Sequence, residues 1–247
     1  DRKLNVWQFS RVVDRVSRAL PGASVHAIPT PPLRDTKGYL AKYPPHLGFT
    51  LEEESRGQSE LLQIGVSPGT QFVCFLARDS AYLNTTYPQG EWGYHDYRDS
   101  NINDYLPAME KLEGCGYFVL RMGAVVSKPL HARNPRVIDY ASDYRSDFMD
   151  IYLSAKCRFF LTSGAGIDTV ARIFRRPVAG VNAIPLEYIS TWGPHDLTIP
   201  MKLWITEEKR FMTFREILDS GVGRFMEQNQ YDHLGLEPVH NTPEEIQ

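Results

Sequence analysis

The stretch "FFLTSGAGIDTVARIFRRPVAGVN", residues 159–182, decides the fold class of this chain. Its apolar start stops at the small-residue turn 162–166, a segment with helical spacing follows, and a second apolar run ends at Asn182. A strand-length run that is apolar throughout indicates a strand buried on both faces, as in parallel sheets. The stretch therefore predicts one strand–helix–strand unit of a parallel sheet.

The same alternation extends along most of the chain. Together the units predict an α/β fold, a doubly wound and mostly parallel sheet with helices on both faces. An amphipathic helix that ends near Pro21–Gly22 comes before them, and residues 185–204 are predicted to be loop with a short strand. The predicted strands are 72–77, 117–122, 136–140, 158–162 and 177–182, and the helices between them are 104–114, 146–156 and 166–176.

Composition and charge exclude several classes of protein. The 27 basic and 30 acidic residues give a net charge of −3, which argues against nucleic acid as the main partner. The three cysteines lack CxxC spacing and favour a reducing compartment, so a cytoplasmic location is predicted. The histidines lack the spacing of metal ligands, and no apolar run is long enough to span a membrane.

Polar or small residues follow each predicted strand. Ligands of open α/β sheets bind beyond the carboxyl ends of the strands, at a switch point, so these residues form the candidate site. They are Arg78, Asp79 and Ser80 after the first strand, Arg121 and Gly123 at the second, Asp139 and Tyr140 at the third, Ser163, Gly164 and Gly166 at the fourth, and Asn182 at the fifth.

The chemistry of these residues predicts an anion site. Arg78 and Arg121 offer forked donors to phosphate oxygens, and the turn 162–166 opens a helix whose N–H groups lack partners. We expect this turn at the carboxyl end of a central strand, with the helix beginning near Gly166 and Arg121 across from it. The alternatives stay open: the turn could be a plain connector, and Arg78 could form an ion pair with Asp79 or Asp99.

Acid–base chemistry has two candidate pairs. His95 and Asp96 lie in the aromatic-rich insertion "YPQGEWGYHDYRDS", residues 87–100, and long insertions in compact domains tend to be functional. His195 and Asp196 form the second pair. Each of these residues, taken alone, is more often non-catalytic. No GxGxxG, P-loop lysine, GxSxG or HExxH motif is present, so dinucleotide enzymes, P-loop proteins, common hydrolases and zinc peptidases are disfavoured.

Several blocks, taken in order, resemble a family of bacterial glycosyltransferases whose members are found among genes for surface polysaccharide. The resemblance runs from about Leu47 to the end of the chain. The blocks are "FVCFLARDSAYL", "HDYRDSNINDYLPAMEKLEGCGYFVLRMG", "VIDYASDYRSDFMDIYLSAKCRFFLTSGAGID", "FRRPVAGVNAIPL" and "TFREILDSGVGRFMEQNQYDHLGLEPVHNTPEEI".

The resemblance implies the Rossmann-like, nucleotide-sugar-binding half of a two-domain GT-B enzyme, similar to its fucosyltransferase-like branch. Arg78, Asp79 and Ser80 would line the cleft and Arg121 with Gly123 would reach the donor diphosphate. Ser163 and Gly164 would hold phosphate, and Asp139 and Tyr140 would lie near the base or ribose. The sequence has "TSGAG" where the family pattern has a second serine, which removes one hydroxyl contact.

The resemblance also implies a domain arrangement and partners. Residues 1–46 would be the tail of a preceding acceptor domain or a hinge, and residues 47–247 the donor domain. The enzyme would transfer a sugar from a nucleotide sugar to a glycan or lipid-linked glycan, without an obligatory cofactor or metal. Its arginines would stabilise the leaving diphosphate, and His95 or Asp96 would act as base. The protein would be cytoplasmic, or peripheral at the inner membrane through a longer chain. An epimerase of GT-B shape and a non-catalytic binding module remain alternatives.

Overall fold

The computed structural model describes residues 6–23, 35, 37–190 and 192–247, without the side chains of residues 6–8 and 95. Part of the predicted segment 1–46 lies outside these residues, and the division into 1–46 and 47–247 stays a prediction. The helices are α1 (Val6–Ala19), α2 (Tyr39–Lys42), α3 (Leu51–Gln63), α4 (Ala81–Thr86), α5 (Leu106–Gly114), α6 (Tyr140–Asp143), α7 (Asp147–Lys156), α8 (Asp168–Ile173), α9 (Phe214–Ser220), α10 (Gln228–Asp232) and α11 (Pro243–Ile246). The strands are β1 (Phe72–Leu76), β2 (Phe118–Arg121), β3 (Val137–Ile138), β4 (Phe160–Thr162), β5 (Val178–Ala183), β6 (Leu197–Pro200), β7 (Lys202–Ile205), β8 (Arg210–Phe211) and β9 (Leu236–Val239).

Six strands form one parallel sheet in the order β3-β2-β1-β4-β5-β6. This is the order of the Rossmann-like doubly wound fold, so the predicted fold class is confirmed. The chain reverses its direction of winding between β1 and β4, which puts the switch point at their carboxyl ends. The sixth strand was not assigned to the predicted sheet, because this edge strand alternates exposed and partly buried residues instead of being apolar throughout.

The sheet has a hydrophobic core on each face. Cys74, Leu120 and Phe160 point to the face covered by α3, α7 and α8. Their chain neighbours Val73, Val119 and Leu161 point to the opposite face, which α5 and α11 cover. Burial on both faces is why these strands are continuous apolar runs in the sequence. No described helix is both long enough and apolar enough to cross a membrane.

A second, three-stranded antiparallel sheet follows the first, in the order β8-β7-β9. The prediction of loop with a short strand for residues 185–204 is confirmed in part, since the range contains loop but holds two strands, β6 and most of β7. The turn from β7 to β8 passes through charged residues and has Lys209 at φ +53°. Because glycine or asparagine usually takes such a position, the sequence lacks the ordinary signal of a hairpin.

Gly57 gives a test of how α3 packs on α7. A Cβ atom at Gly57 would lie 2.3 Å from the ring of Tyr152, which also contacts the rings of Phe49 and Phe148. We expect Gly57→Ala to destabilise the protein by up to about 2 kcal/mol, because overpacking costs about 1–3 kcal/mol and is offset by the roughly 1 kcal/mol that alanine gains in a helix.

Urea unfolding would measure this change. Gly114→Ala, at the end of α5, is the matched control, because its Cβ would meet no atom within 4 Å. The control should be neutral or slightly stabilising. Equal stability of the two variants would contradict this packing.

Candidate functional site

The carboxyl ends of β1 and β4 lie side by side and are joined by a hydrogen bond. Leu76 pairs with Thr162 in register. Just beyond this pair, the Arg78 N–H donates to Ser163 Oγ at 2.8 Å. The prediction that the turn 162–166 lies at the carboxyl end of a central strand is confirmed. Ser163 is buried here, so its hydroxyl fastens two loops at the switch point.

The first N–H groups of the turn 162–166 donate hydrogen bonds to side chains of the protein itself. The Gly164 N–H donates to Thr162 Oγ1 at 2.9 Å, and the Ala165 N–H donates to Asp168 Oδ2 at 3.2 Å. Helix α8 begins at Asp168 rather than near Gly166 and is six residues long. The helix therefore starts two residues later than predicted, and the N–H groups of Gly164 and Ala165 are not free for a ligand, because nearby side-chain oxygens accept from them.

Two cavities open on either side of this turn. The first, here named the Arg78 cavity, has a volume of about 370 Å³, and the second, the Arg98 cavity, about 290 Å³. The Arg78 cavity is lined by Leu76–Asp79, Tyr82, Leu83, Met122–Val126, Asp150 and Ala165–Ile167. The Arg98 cavity is lined by Arg98, Thr162–Gly164, Asp168, Arg172, Gly180, Val181, Ala183–Pro185, Tyr188–Ser190, Thr198 and Met226.

Arg98 is the least compensated charge of the site. It ends the 3₁₀-helix Gly93–Arg98, and its Nη2 lies 3.8 Å from where a Cβ of Gly164 would be. Burial and then the charge of Arg78 lower the pKa of Arg98. Within the described part of the chain its guanidinium makes no hydrogen bond or ion pair. The nearby charge of Asp99, which is paired with Arg78, acts in the opposite direction without reversing this shift. A partly buried cation without an ion-pair partner favours an anionic ligand.

Sequence reasoning missed Arg98. The available signal is its position in the aromatic-rich insertion 87–100, the segment that also contains the acid–base candidates His95 and Asp96. The insertion returns to the end of β1, where the Ser100 N–H donates to the Arg78 carbonyl at 2.8 Å. This link brings Arg98 to the switch point.

Arg78 forms an ion pair with Asp99, one of the two alternatives that the sequence left open. Burial raises the pKa of Asp99, although the nearby charge of Arg78 opposes this. Arg78 also lines the Arg78 cavity. Its charge is therefore balanced by Asp99, whereas that of Arg98 is not.

Asp79 and Gly123 line the Arg78 cavity, whereas Ser80, next to Asp79 in the chain, does not. Asp79 Oδ2 accepts hydrogen bonds from the Ser127 N–H at 3.1 Å and from Ser127 Oγ at 3.2 Å, which ties the loop after β1 to the loop after β2. Ser80 immediately precedes α4. Gly123 has φ +154°, and a Cβ there would lie 2.6 Å from Val126.

Arg121 and Asp139 form a buried ion pair, with Nη1 and Oδ1 2.9 Å apart. Asp139 also accepts hydrogen bonds from the Leu130 N–H at 2.7 Å and from Ser142 Oγ at 2.7 Å. Burial favours a higher pKa for Asp139, but these bonds and Arg121 together lower it. Arg121 is 1% exposed, so contact with a diphosphate would require this pair to open. The predicted ligand contacts of Arg121 and Asp139 stay predictions, and the geometry favours a role in holding β2 and β3 together.

Tyr140 and Asn182 are held inside the protein. The Tyr140 hydroxyl bonds Ser146 and Asp150 Oδ1, both at 3.0 Å, and burial raises its pKa. Asn182, at φ +51°, exchanges two hydrogen bonds of 2.6 Å with Asn241, and its Nδ2 donates to Ser100 Oγ at 3.0 Å. Neither residue lines the two cavities, and their predicted donor contacts stay predictions.

Of the acid–base candidates with described side chains, none of Asp96, His195 and Asp196 lines the two cavities. The His95 side chain lies outside the described residues, and Asp96 is exposed. Asp196 Oδ1 accepts from the Val178 N–H at 2.9 Å, at the amino end of β5, so His195 and Asp196 lie at the opposite edge of the sheet. Within the described residues no group of His, Cys, Asp and Glu side chains is arranged to hold a metal ion.

The site thus combines an uncompensated arginine, a paired arginine and two cavities at the switch point. No protein-family model matches this chain, and neither a curated protein nor a solved structure is significantly similar to it.

Proposed function

We propose that this chain binds a nucleotide sugar at the carboxyl edge of its sheet and acts as the donor-binding part of a glycosyltransferase. The observation that carries the proposal is the uncompensated guanidinium of Arg98 beside Gly164, at the switch point between β1 and β4. A diphosphate there would supply the missing negative charge, and arginine is suited to bind two phosphate oxygens at once.

The two cavities support a ligand with chemically distinct parts. Their volumes, about 370 and 290 Å³, lie near the lower end of the roughly 300–1,000 Å³ of small-molecule sites. The Arg78 cavity is mostly apolar, with Leu76, Leu83 and Met122 in its wall, and would suit a nucleobase or sugar ring. In this arrangement the phosphates lie at the turn 162–166, between the two cavities.

In the transfer reaction Arg98 would stabilise the negative charge that develops on the leaving diphosphate. Arg78, neutralised by Asp99, would contribute less unless ligand binding opens that pair. The donor sugar, the acceptor and the stereochemical outcome are left open by this proposal. A longer protein would supply an acceptor domain if the GT-B resemblance holds.

A non-catalytic nucleotide-sugar-binding module is the second candidate, favoured by the state of the carboxylates. Asp79 bonds Ser127, Asp150 bonds Tyr140 and Arg145, and Asp168 bonds Arg172. The carboxylates that line the two cavities within the described residues are therefore all engaged, so none is an evident general base. The missing base would come from another domain in a transferase and would not exist in a binding module.

Nucleotide titration tests the proposal directly. We expect one of UDP, GDP, CDP or dTDP to raise the melting temperature, since a ligand at 100 times its Kd stabilises the folded state by about 2.7 kcal/mol. Inorganic sulfate is the control for simple anion binding and should act only at much higher concentration. No stabilisation by any of the four at millimolar concentration would contradict the proposal.

Product analysis separates the candidate activities. Slow hydrolysis of the matching nucleotide sugar, or transfer to an added glycan, would favour the transferase. Binding without turnover would favour the binding module. A changed sugar in the absence of acceptor, detected by NMR, would instead indicate the epimerase alternative.

A further inference from the structure

Helix α1 has an apolar face that is exposed among the described residues. Its apolar residues recur at helical spacing on one side, as the sequence predicted. The structure leaves them open, with Phe9 71% exposed, Val12 62% and Val16 58%. Val13 and Leu20, on the same side, are also exposed. By contrast, Met149 and Leu153 of α7 are fully buried against the sheet.

The other side of α1 is basic. Arg11, Arg15 and Arg18 lie there with a single acidic residue, Asp14, which pairs with Arg18 at 2.9 Å. The helix is therefore net positive, although the whole chain has a net charge of −3. Positive charge is thus concentrated beside an uncovered apolar stripe.

We propose that α1 binds in the plane of a membrane surface that carries anionic lipid. Its apolar stripe would enter the boundary between headgroups and acyl chains, and its arginines would lie among the lipid phosphates. A wide apolar face and a basic polar face are the features of interfacial helices. This surface is separate from the two cavities and does not depend on the proposed function.

The pattern fits a lipid surface better than a second copy of the helix. Phe9, Val13 and Val16 have the four- and three-residue spacing of a coiled-coil seam, but α1 also exposes Val12 beside them, so its apolar face is wider than such a seam. Fourteen residues supply only two heptads, which is short for a stable pair. The arginines lie on the opposite side of α1 and would gain no partner from a second copy, whereas anionic headgroups attract them.

Vesicle flotation of the full chain tests the proposal. We compare vesicles of phosphatidylcholine alone with vesicles of equal parts phosphatidylcholine and phosphatidylglycerol. Binding to the anionic vesicles is expected to be at least about tenfold stronger, and to weaken with added salt, because arginines near such a surface are attracted to it. The double variant Val12→Asp/Val16→Asp should lose this binding, and Arg15→Glu/Arg18→Glu should lose the preference for anionic lipid.

Matched controls keep the outcome interpretable. The replaced side chains are exposed, so the melting temperature should not change. Leu62→Asp alters a similarly exposed apolar residue on α3, 57% exposed, and should bind vesicles like the parent. Absence of binding to either vesicle, or binding that the α1 variants do not change, would overturn the proposal. Self-association that Val12→Asp/Val16→Asp abolishes, without vesicle binding, would also overturn it and assign the face to a second copy.

Discussion

Replacing Arg98 by methionine is expected to weaken nucleotide binding about 10- to 100-fold and to raise the melting temperature at the same time. The loss of affinity follows from the roughly 1.5–3 kcal/mol of a hydrogen bond to a charged group. The gain in stability follows because Arg98 is partly buried beside Arg78 and forms no ion pair among the described residues. Methionine retains much of the side-chain volume and removes the charge.

The sign of the stability change is set by the pKa of Arg98, which is lowered in the folded state. A lowered pKa of a base means that folding disfavours its charged form, and arginine stays charged at every ordinary pH. The unliganded protein is therefore less stable with Arg98 than without its charge. Strain that a ligand relieves is common at binding sites, where function opposes stability.

Isothermal titration with the nucleotide found by thermal shift would measure the affinity, and calorimetry the melting temperature. Arg158→Met is the matched control. Arg158 is exposed and lies just before the amino end of β4, away from the switch point, so its replacement should change neither the affinity nor the melting temperature. Arg98→Lys keeps the charge and should recover part of the affinity. Unchanged affinity in Arg98→Met would remove the main support for the donor site, and a lower melting temperature would contradict its uncompensated state.

Replacing Arg121 by methionine is expected to destabilise the protein by about 3–5 kcal/mol, the usual cost of breaking a buried ion pair from one side. The variant leaves the carboxylate of Asp139 buried with only the Leu130 N–H and Ser142 as partners. Asp139→Ala should be similarly costly, since it leaves Arg121 charged and buried. Arg210→Met breaks an exposed pair with Glu216 and should cause a much smaller loss.

Acid sensitivity gives a second measurement of the same pair. The pKa of Asp139 is lowered in the folded state, so its contribution to stability is complete above the unfolded-state pKa of about 4 and is lost as the pH falls through the folded-state value. Urea unfolding of the parent protein should therefore become easier over that acidic window. The loss of stability at acidic pH should be smaller in Arg121→Met, because this variant lacks the ion pair with Asp139.

The same variant tests the ligand contact predicted for Arg121. At a temperature where both proteins are folded, a structural role predicts nearly normal nucleotide affinity for Arg121→Met. Unchanged stability with lost affinity would instead restore Arg121 as a donor-binding residue. Ser163→Ala is informative in a related way, because removing its hydroxyl leaves the Arg78 N–H without its acceptor and should loosen the loop at the switch point.

The sequence by itself determined the fold class and the position of the candidate site. The five predicted strands occur close to their predicted bounds because each is buried on both faces, which requires continuous apolar residues such as Val73 and Cys74. Alternation with helices then requires parallel strands, and the polar residues after them gather at one edge. These are local patterns that a single chain displays in order.

The tertiary structure alone decided the strand order and which polar groups are left without partners. Arg78 and Ser163, bonded at the switch point, are separated by 85 positions in the chain, and Asn182 and Asn241 by 59. Asp139 compensates Arg121, whereas Arg98 has no such partner among the described residues, although the sequence favoured Arg121 as the ligand-binding arginine. The reason is physical. Whether a charged group is paired depends on which distant groups the fold brings within hydrogen-bonding distance, and no local sequence pattern encodes that distance.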